Sequence, residues 1–268
     1  MSAYELTVRF GHVLALDDVS LQTPTGQITA VVGGDGAGKT TLLEALVDLV
    51  PIEAGSVDSP ARSTIGFMPA GAGSWSELSV DENVAFVGGS YGLATDVLTT
   101  RADDLLTRAG LSDVRDRLAG QLSGGMRKKL GFCLAMLHEP QLLILDEPST
   151  GLDPVSRVEL WRLISEAAAR GTAVVLTTTY LDEAERAGTV LVLERGKALL
   201  SGSPQDVVSS YPGVIVQTDS PTRPQFAWRH GTGYREWWPD DPPKGSTTTA
   251  LTLEDVSIVA SLRQEVGS

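Results

Sequence analysis

Three stretches hold residues whose types and spacing can do chemistry. The first, GGDGAGKT, fits the pattern G-x-x-x-x-G-K-[ST] with Gly33, Gly38, Lys39 and Thr40. Glycines let backbone N–H groups turn inward around phosphate oxygens, and a helix that follows adds the partial positive charge of its N-terminus. Gly33, Gly34, Asp35, Gly36, Ala37, Gly38 and Thr41 then form the cradle. Lys39 reaches the β- and γ-phosphates, and the Thr40 hydroxyl holds Mg²⁺. The second stretch, LLILDEP (142–148), carries Asp146 to the end of an apolar run, where a carboxylate can hold the same cation. Glu147 beside it can orient or deprotonate a water. The third, VVLTTTYLDEAER (174–186), puts three hydroxyls, Thr177, Thr178 and Thr179, where an α/β protein usually places its chemistry. No base or metal ligand is evident there.

These residues need particular elements beneath them. ITAVVG (28–33), QLLILDEP (141–148) and TAVVLTTT (172–179) are near-continuous apolar runs and predict buried strands. TLLEALVDLV (41–50) predicts a helix stopped by Pro51, and SGGMRKKLGFCLAML (123–137) a second. PVSRVELWRLISEAAAR (154–170) opens on a proline suited to a helix N-terminus. YELTVRF (4–10) and DVSLQT (18–23) alternate and read as antiparallel strands, and STIGFMP (63–69) as a further strand. Residues 75–110 predict a looser helical region, 180–187 a helix, and 189–202 a hairpin turning at Arg195-Gly196. Strands alternating with helices imply an α/β fold with a mostly parallel core sheet. After about residue 210 Pro, Gly, Thr and Trp rise. IVQT and FAW predict strands, and LEDVSIVASLR (253–263) a helix. We therefore divide the chain into residues 1–210 and a small appended subdomain, 211–268.

Composition narrows the classes. With 268 residues there is room for one sizeable core and a small appendage. Lys plus Arg is 21 against 34 for Asp plus Glu, so broad nucleic-acid binding is not expected. The single cysteine, Cys133, allows no internal disulfide and falls on an apolar helix face. No apolar run approaches the ~20 residues of a membrane-spanning helix, so a membrane role would come through a partner. His12, His138 and His230 have no metal-ligand spacing. Arg127, Lys128 and Lys129 read as a solvated helix face, with holding of nucleotide or a membrane partner as the other reading. The tryptophans of GYREWWPDDPP (233–243) predict the core of the appended subdomain, with a docking surface as the alternative.

LSGGM (122–126), ahead of LLILDEPSTGLDP (142–154), resembles the LSGGQ signature of ATP-binding-cassette (ABC) ATPases, and the resemblance runs from about residue 5 to 205. It implies the phosphate-loop NTPase cassette: a parallel core sheet, an antiparallel β edge and a helical signature subdomain near 75–140. It also implies ATP and Mg²⁺, with Thr40 and Asp146 on the metal. Phe10 stands where the family stacks adenine, and Asp153 lies in the family's D-loop. Ser123, Gly124 and Gly125 open a helix whose free N–H groups meet the γ-phosphate held by another protomer's loop. SWSELSVDENVAF (74–86) and the ending TLEDVSIV (252–259) resemble the nucleotide-binding subunits of ABC-2-type exporters of antibiotic and multidrug kind.

The chain departs from that pattern at three places. Thr179 stands where the family has a histidine that contacts the γ-phosphate and positions the attacking water. Ala70 replaces a glutamine that senses Mg²⁺ and water and couples the site to the membrane domain. Asp35 replaces the usual asparagine. These departures resemble the first cassette of some tandem-cassette exporters. The expectation is tight Mg-ATP binding with slow hydrolysis, since loss of a positioned proton-transfer group costs ~10²–10⁴ in rate. The resemblance further implies an integral membrane permease subunit as partner and a peripheral position on the cytoplasmic face of the membrane. A second, more complete cassette is favoured over a homodimer. The alternatives are a non-transport ABC ATPase and a nucleotide-binding regulatory protein with little turnover.

Overall fold

The computed structural model describes residues 1–71 and 73–267. In chain order the strands and helices are β1 (Ser2–Phe10), β2 (Val13–Gln22), β3 (Ile28–Val32), α1 (Lys39–Leu46), β4 (Ala54–Asp58), β5 (Ile65–Met68), α2 (Val80–Ser90) and α3 (Thr95–Ala109). There follow α4 (Gly124–Met136), β6 (Leu142–Leu145), α5 (Pro154–Ala169), β7 (Ala173–Thr178), α6 (Leu181–Ala184), β8 (Thr189–Glu194), β9 (Lys197–Gly202) and α7 (Pro204–Ser210). The last are β10 (Val214–Thr218), β11 (Ala227–His230), β12 (Gly233–Trp238), β13 (Thr247–Thr249) and α8 (Leu253–Gly267).

The central sheet has the order β5-β6-β7-β3-β8-β9, parallel throughout except for the β8–β9 hairpin. Both of its faces are covered, which is why its inner strands are apolar without interruption. Strand alternation divides them between two cores. Ala30, Val32, Leu143, Leu145, Val174 and Leu176 pack with the helices α3 to α5, while Val31, Leu142, Ile144, Ala173 and Val175 pack with α1 and the strands β1 and β2. The predicted antiparallel edge is a second sheet, β2-β1-β4.

Helix ends follow local chemistry. Ser79 and Glu82 form a reciprocal capping box on α2. Gly110 closes α3 with a left-handed backbone. Ser123 caps α4, and Asp153 caps α5 ahead of Pro154. Two predicted helices are shorter than periodicity suggested. The helix expected over 41–50 is α1, which ends at Leu46 because Asp48 takes a left-handed turn, φ 57°. The helix expected over 180–187 keeps one turn as α6.

Residues beyond 210 build a third sheet, β11-β12-β10-β13, antiparallel throughout. Ile215, Trp237 and Val259 form its core, so Trp237 packs as predicted, and its indole N–H donates to the Pro212 carbonyl. Helix α8 serves two masters. Val259 joins that small core, whereas Leu253 and Val256 are buried in the larger one with Val207.

Candidate functional site

Parallel register brings the chemistry to one edge. Val32 lies beside Thr178, and Leu145 beside Leu176, so the segments after β3, β6 and β7 emerge together. The loop Gly33–Gly38 follows β3 and runs into α1. Gly38 caps that helix at φ 103°, and a Cβ there would lie 2.7 Å from the Ala15 carbonyl oxygen, so no other residue fits. Lys39 is buried, and its ammonium donates to the carbonyls of Gly33 at 2.8 Å and Gly34 at 3.1 Å. It also pairs with the Glu147 carboxylate at 3.3 Å. Its three donors are thus all engaged. Thr40 donates its hydroxyl to Asp146 Oδ2 at 3.0 Å. Asp35 and Gly36 are exposed, Ala37 is buried, and Thr41 is half-buried.

The three threonines divide their work by alternation. Thr177 faces the α1 side. Its hydroxyl donates to Asp146 Oδ1 at 2.5 Å and accepts from the Glu147 backbone N–H at 2.8 Å. Thr178 faces the opposite core and donates to Glu183 at 2.8 Å, as does Ser149 at 2.7 Å. Glu183 is fully buried, with Arg157 at 3.6 Å and the Arg157 guanidinium over the Tyr180 ring. Thr179 is exposed and, with Gly33 to Ala37, lines a cavity of about 500 Å³ whose far wall is Ser257, Ile258, Ser261 and Leu262 of α8. A second cavity of about 440 Å³ holds Val13 to Ala15, the loop from Gly34 to Thr41, and Glu147. Phe10 is exposed at the end of β1 but lines neither cavity.

Glu147 has the backbone of a strained residue, φ 46°. A non-glycine residue held there costs about 1–3 kcal/mol, and such strain gathers at functional sites. The conformation is fixed from both sides, by Thr177 on its N–H and by the Lys128 ammonium, which donates to its carbonyl at 3.0 Å. Lys128 donates also to the Ala70 carbonyl at 2.7 Å. This corrects the sequence reading of a solvated basic face. Lys128 and Lys129 are each only 9% exposed, because α4 is covered by the segments carrying Ala70 and Glu147 and by α5. Lys129 pairs with Glu159 at 2.8 Å. Burial pushes the Lys128 amine below its usual range, and the carboxylates of Glu147 and then Asp146 pull it back up. Cys133 is buried, and its thiol is pushed up to about 12 by that burial.

The signature residues stand apart. Ser123 and Gly124 are exposed at the start of α4, and neither loop-lined cavity includes them. Gly125 is buried, and a Cβ there would lie 2.4 Å from Ser156 Oγ, so it is a packing glycine between α4 and α5. Asp153 spends its carboxylate on α5. Hydrogen bonds from Ser156, side chain first and backbone next, hold it below the usual carboxylate range.

The oxygens of Thr40 and Asp146 are hard donors set 3.0 Å apart. They suit a Mg²⁺ ion, which binds through few protein oxygens and keeps several waters. Among the described residues no three His, Cys, Asp or Glu side chains converge as a metal cage. Sequence reasoning missed Thr177, Lys128 and Glu183 as organisers of the site. The register of β6 against β7 was the signal for Thr177, and single-sequence patterns do not contain it.

The profile of the ABC transporter family matches residues 16–150, and the chain belongs to that family, in its ATP-binding class. It is 36% identical over 206 residues to the probable multidrug ABC transporter ATP-binding protein YbhF of Escherichia coli K12, which covers 73% of this chain and 36% of that protein. The chain thus spans about a third of that relative's length. The Nod factor export ATP-binding protein I of Rhizobium sp. N33 is 34% identical, over 77% of this chain and 72% of its own. The daunorubicin resistance ATP-binding protein DrrA3 of Streptomyces coeruleorubidus is 34% identical over 76% and 68%. Among solved structures, the ATP-binding subunit of an ABC transporter superposes with TM-score 0.71 at 26% identity, covering 78% of this chain and 92% of that one. CbiO1 of Clostridium perfringens, part of the complex cbiONQ, gives 0.70 at 27%, covering 78% and 90%.

Proposed function

We propose that this chain is the ATP-binding subunit of an ABC-2-type exporter, with a hydrolysis site of its own that is weakened at the water-positioning side. The observation that carries this reading is an intact cluster, Lys39, Thr40, Asp146 and Glu147, with Ala70 joined to Glu147 through the Lys128 ammonium and Thr179 facing the loop Gly33–Ala37. Residues 1–210 would be the cassette and 211–268 an appended subdomain. Mg²⁺, when bound, would shield phosphate charge and orient the γ-phosphoryl group. Loop N–H groups would bind phosphate oxygens, and Lys39 would exchange its carbonyl contacts for them. Thr40 and Asp146 would hold the ion. Glu147, released from Lys39, would orient a water. Alanine has no side-chain amide and threonine no imidazole, so that water would be held loosely and turnover would be slow.

A permease partner and a position on the cytoplasmic face of a membrane belong to the same proposal. Among the described residues no helix is long and apolar enough to cross a membrane. Trp75 and Phe86 form an exposed edge-to-face pair, centroids 4.5 Å apart, of the kind that marks a contact surface. The exposed Ser123 and Gly124 would serve the nucleotide of a second, more complete cassette. The test is Mg-ATP binding and turnover by the purified chain, alone and with partners copurified from membranes. Tight binding, slow turnover alone and faster turnover with a cassette and permease are expected. Fast turnover by the isolated chain would overturn the weakened site. Binding with no partner and no turnover would favour a nucleotide-binding regulator.

A further inference from the structure

We infer that Lys128 is a positioning residue that locks the signature helix to the Glu147 backbone and to the Ala70 segment through one ammonium group. Three observations carry this. Lys128 lies on α4, one turn beyond its N-terminus, so its stem moves with Ser123 and Gly124. Its ammonium donates to the Glu147 carbonyl at 3.0 Å and the Ala70 carbonyl at 2.7 Å, and the side chain is only 9% exposed. The Glu147 backbone it holds is left-handed, φ 46°, a conformation that persists only where its surroundings impose it.

The consequence is mechanical. An ammonium can follow a small shift of either carbonyl by rotating, but it cannot keep both bonds if the Ala70 segment and α4 move apart. Separation costs the ammonium, on a side chain only 9% exposed, one of its two carbonyl partners, which is unfavourable for a buried charge. Lys128 thus resists separation of the Ala70 segment and α4 from Glu147. Ala70 has no side chain with which to make such a link, and its backbone oxygen is enough for Lys128. The Lys129–Glu159 pair, exposed on its glutamate side, also joins α4 to α5. Thr177 guards the N–H side of that residue and Lys128 the carbonyl side.

The rate readout of this inference rests on the ATPase reading, whereas its exchange readout does not. The experiment compares the full chain with Lys128→Met, which keeps the stem and loses the charge and donors, and with Lys128→Arg, which keeps both. Mg-ATP affinity, single-turnover rate and amide hydrogen exchange are measured on each. Lys128→Met should leave the Kd for Mg-ATP within about twofold and lower the turnover rate about tenfold or more, toward the ~10² that a small misplacement can cost. Exchange should rise in peptides containing Ala70 and Glu147 and stay unchanged in those of β10 to β13. Lys128→Arg should recover most of the rate and the protection. In a Glu147→Gln background Lys128→Met should add little, since it acts through that residue. Unchanged exchange at Ala70 and Glu147 in Lys128→Met overturns the inference, whether or not the parent chain turns over ATP. So does a rate loss matched by an equal loss of affinity, or a rise in exchange spread over the whole chain. Absence of turnover in the parent with local exchange at both segments would refute the ATPase reading alone and leave the lock supported.

Discussion

The two halves of the nucleotide site are built from different materials. Around Gly33 to Thr41 the contacts come from backbone groups, one buried lysine and one threonine hydroxyl. Around Ala70 and Thr179 the work expected of an ABC site falls to side chains, and those side chains are absent. Backbone geometry survives substitution as long as glycine stays where φ is positive, whereas a positioned amide or imidazole is lost with a single codon. On the proposed reading, binding and turnover would therefore be separable in this molecule.

The sharpest test of that contrast lies outside either half. In a complex copurified with a more complete cassette, Gly124→Asp puts a carboxylate on the exposed start of α4, where open space lies around the residue. Loss of an anion site plus repulsion should lower ATPase turnover by ~10²–10³, as removal of one stabilising donor does. Glu147→Gln in this chain should cost less than ~3-fold, because on the proposed reading most turnover of the complex would come from the other composite site, which holds the partner's nucleotide. Equal damage from the two changes would break the comparison and place hydrolysis in this chain's own site.

Next in size is Lys39→Ala. It removes the cation that pairs with Glu147 and leaves that carboxylate facing the cradle. A loss of about 2–5 kcal/mol, at least ~30-fold in Kd, is expected in a fluorescent-nucleotide titration. A smaller gain is expected from restoring the weak half. Thr179→His or Ala70→Gln alone should raise turnover less than ~3-fold, and the pair more than ~10-fold, since groups that hold one water act as a unit. Additive gains would point to Asp35 as the limiting departure. The smallest effect separates two neighbours in the signature. Gly125→Ala should lower stability by about 1–3 kcal/mol in thermal unfolding, because its methyl meets Ser156, and Ser156→Gly should relieve it. Gly124→Ala should not.

What the amino-acid order made legible follows from the same division. GGDGAGKT could be placed on a strand-to-helix turn because its function is carried by backbone, and the backbone demands glycine. The buried strands announced themselves as apolar runs, and the Arg195-Gly196 turn falls between β8 and β9 as expected. Lys128 was misread because helical periodicity assigns residues to faces but does not say which segments cover a face. Thr177 and Asp146 are 31 positions apart, and only the adjacency of β6 and β7 puts one hydroxyl between two acidic residues. Gly125 looked like an anion-binding glycine alone, and its approach to Ser156 depends on how α4 crosses α5. Chemistry that needs two distant segments to meet is written in packing, and one chain read by itself does not display packing.

Helix α8 has a consequence for how this protein is made. Leu253 and Val256 fill the same core as Ile28 and Ala30 of the first buried strand. During synthesis that strand leaves the ribosome long before the residues that will cover its neighbours. Contacts so far apart along the chain form late. Until they form, a nascent cassette shows an unfinished apolar face to everything around it, an aggregation hazard of the sort that chaperones exist to shield. The wall of the cavity beside the phosphate loop, Ser257 to Leu262, arrives with the same helix. The far wall of that cavity and the last residues of the larger core thus arrive together, on one helix.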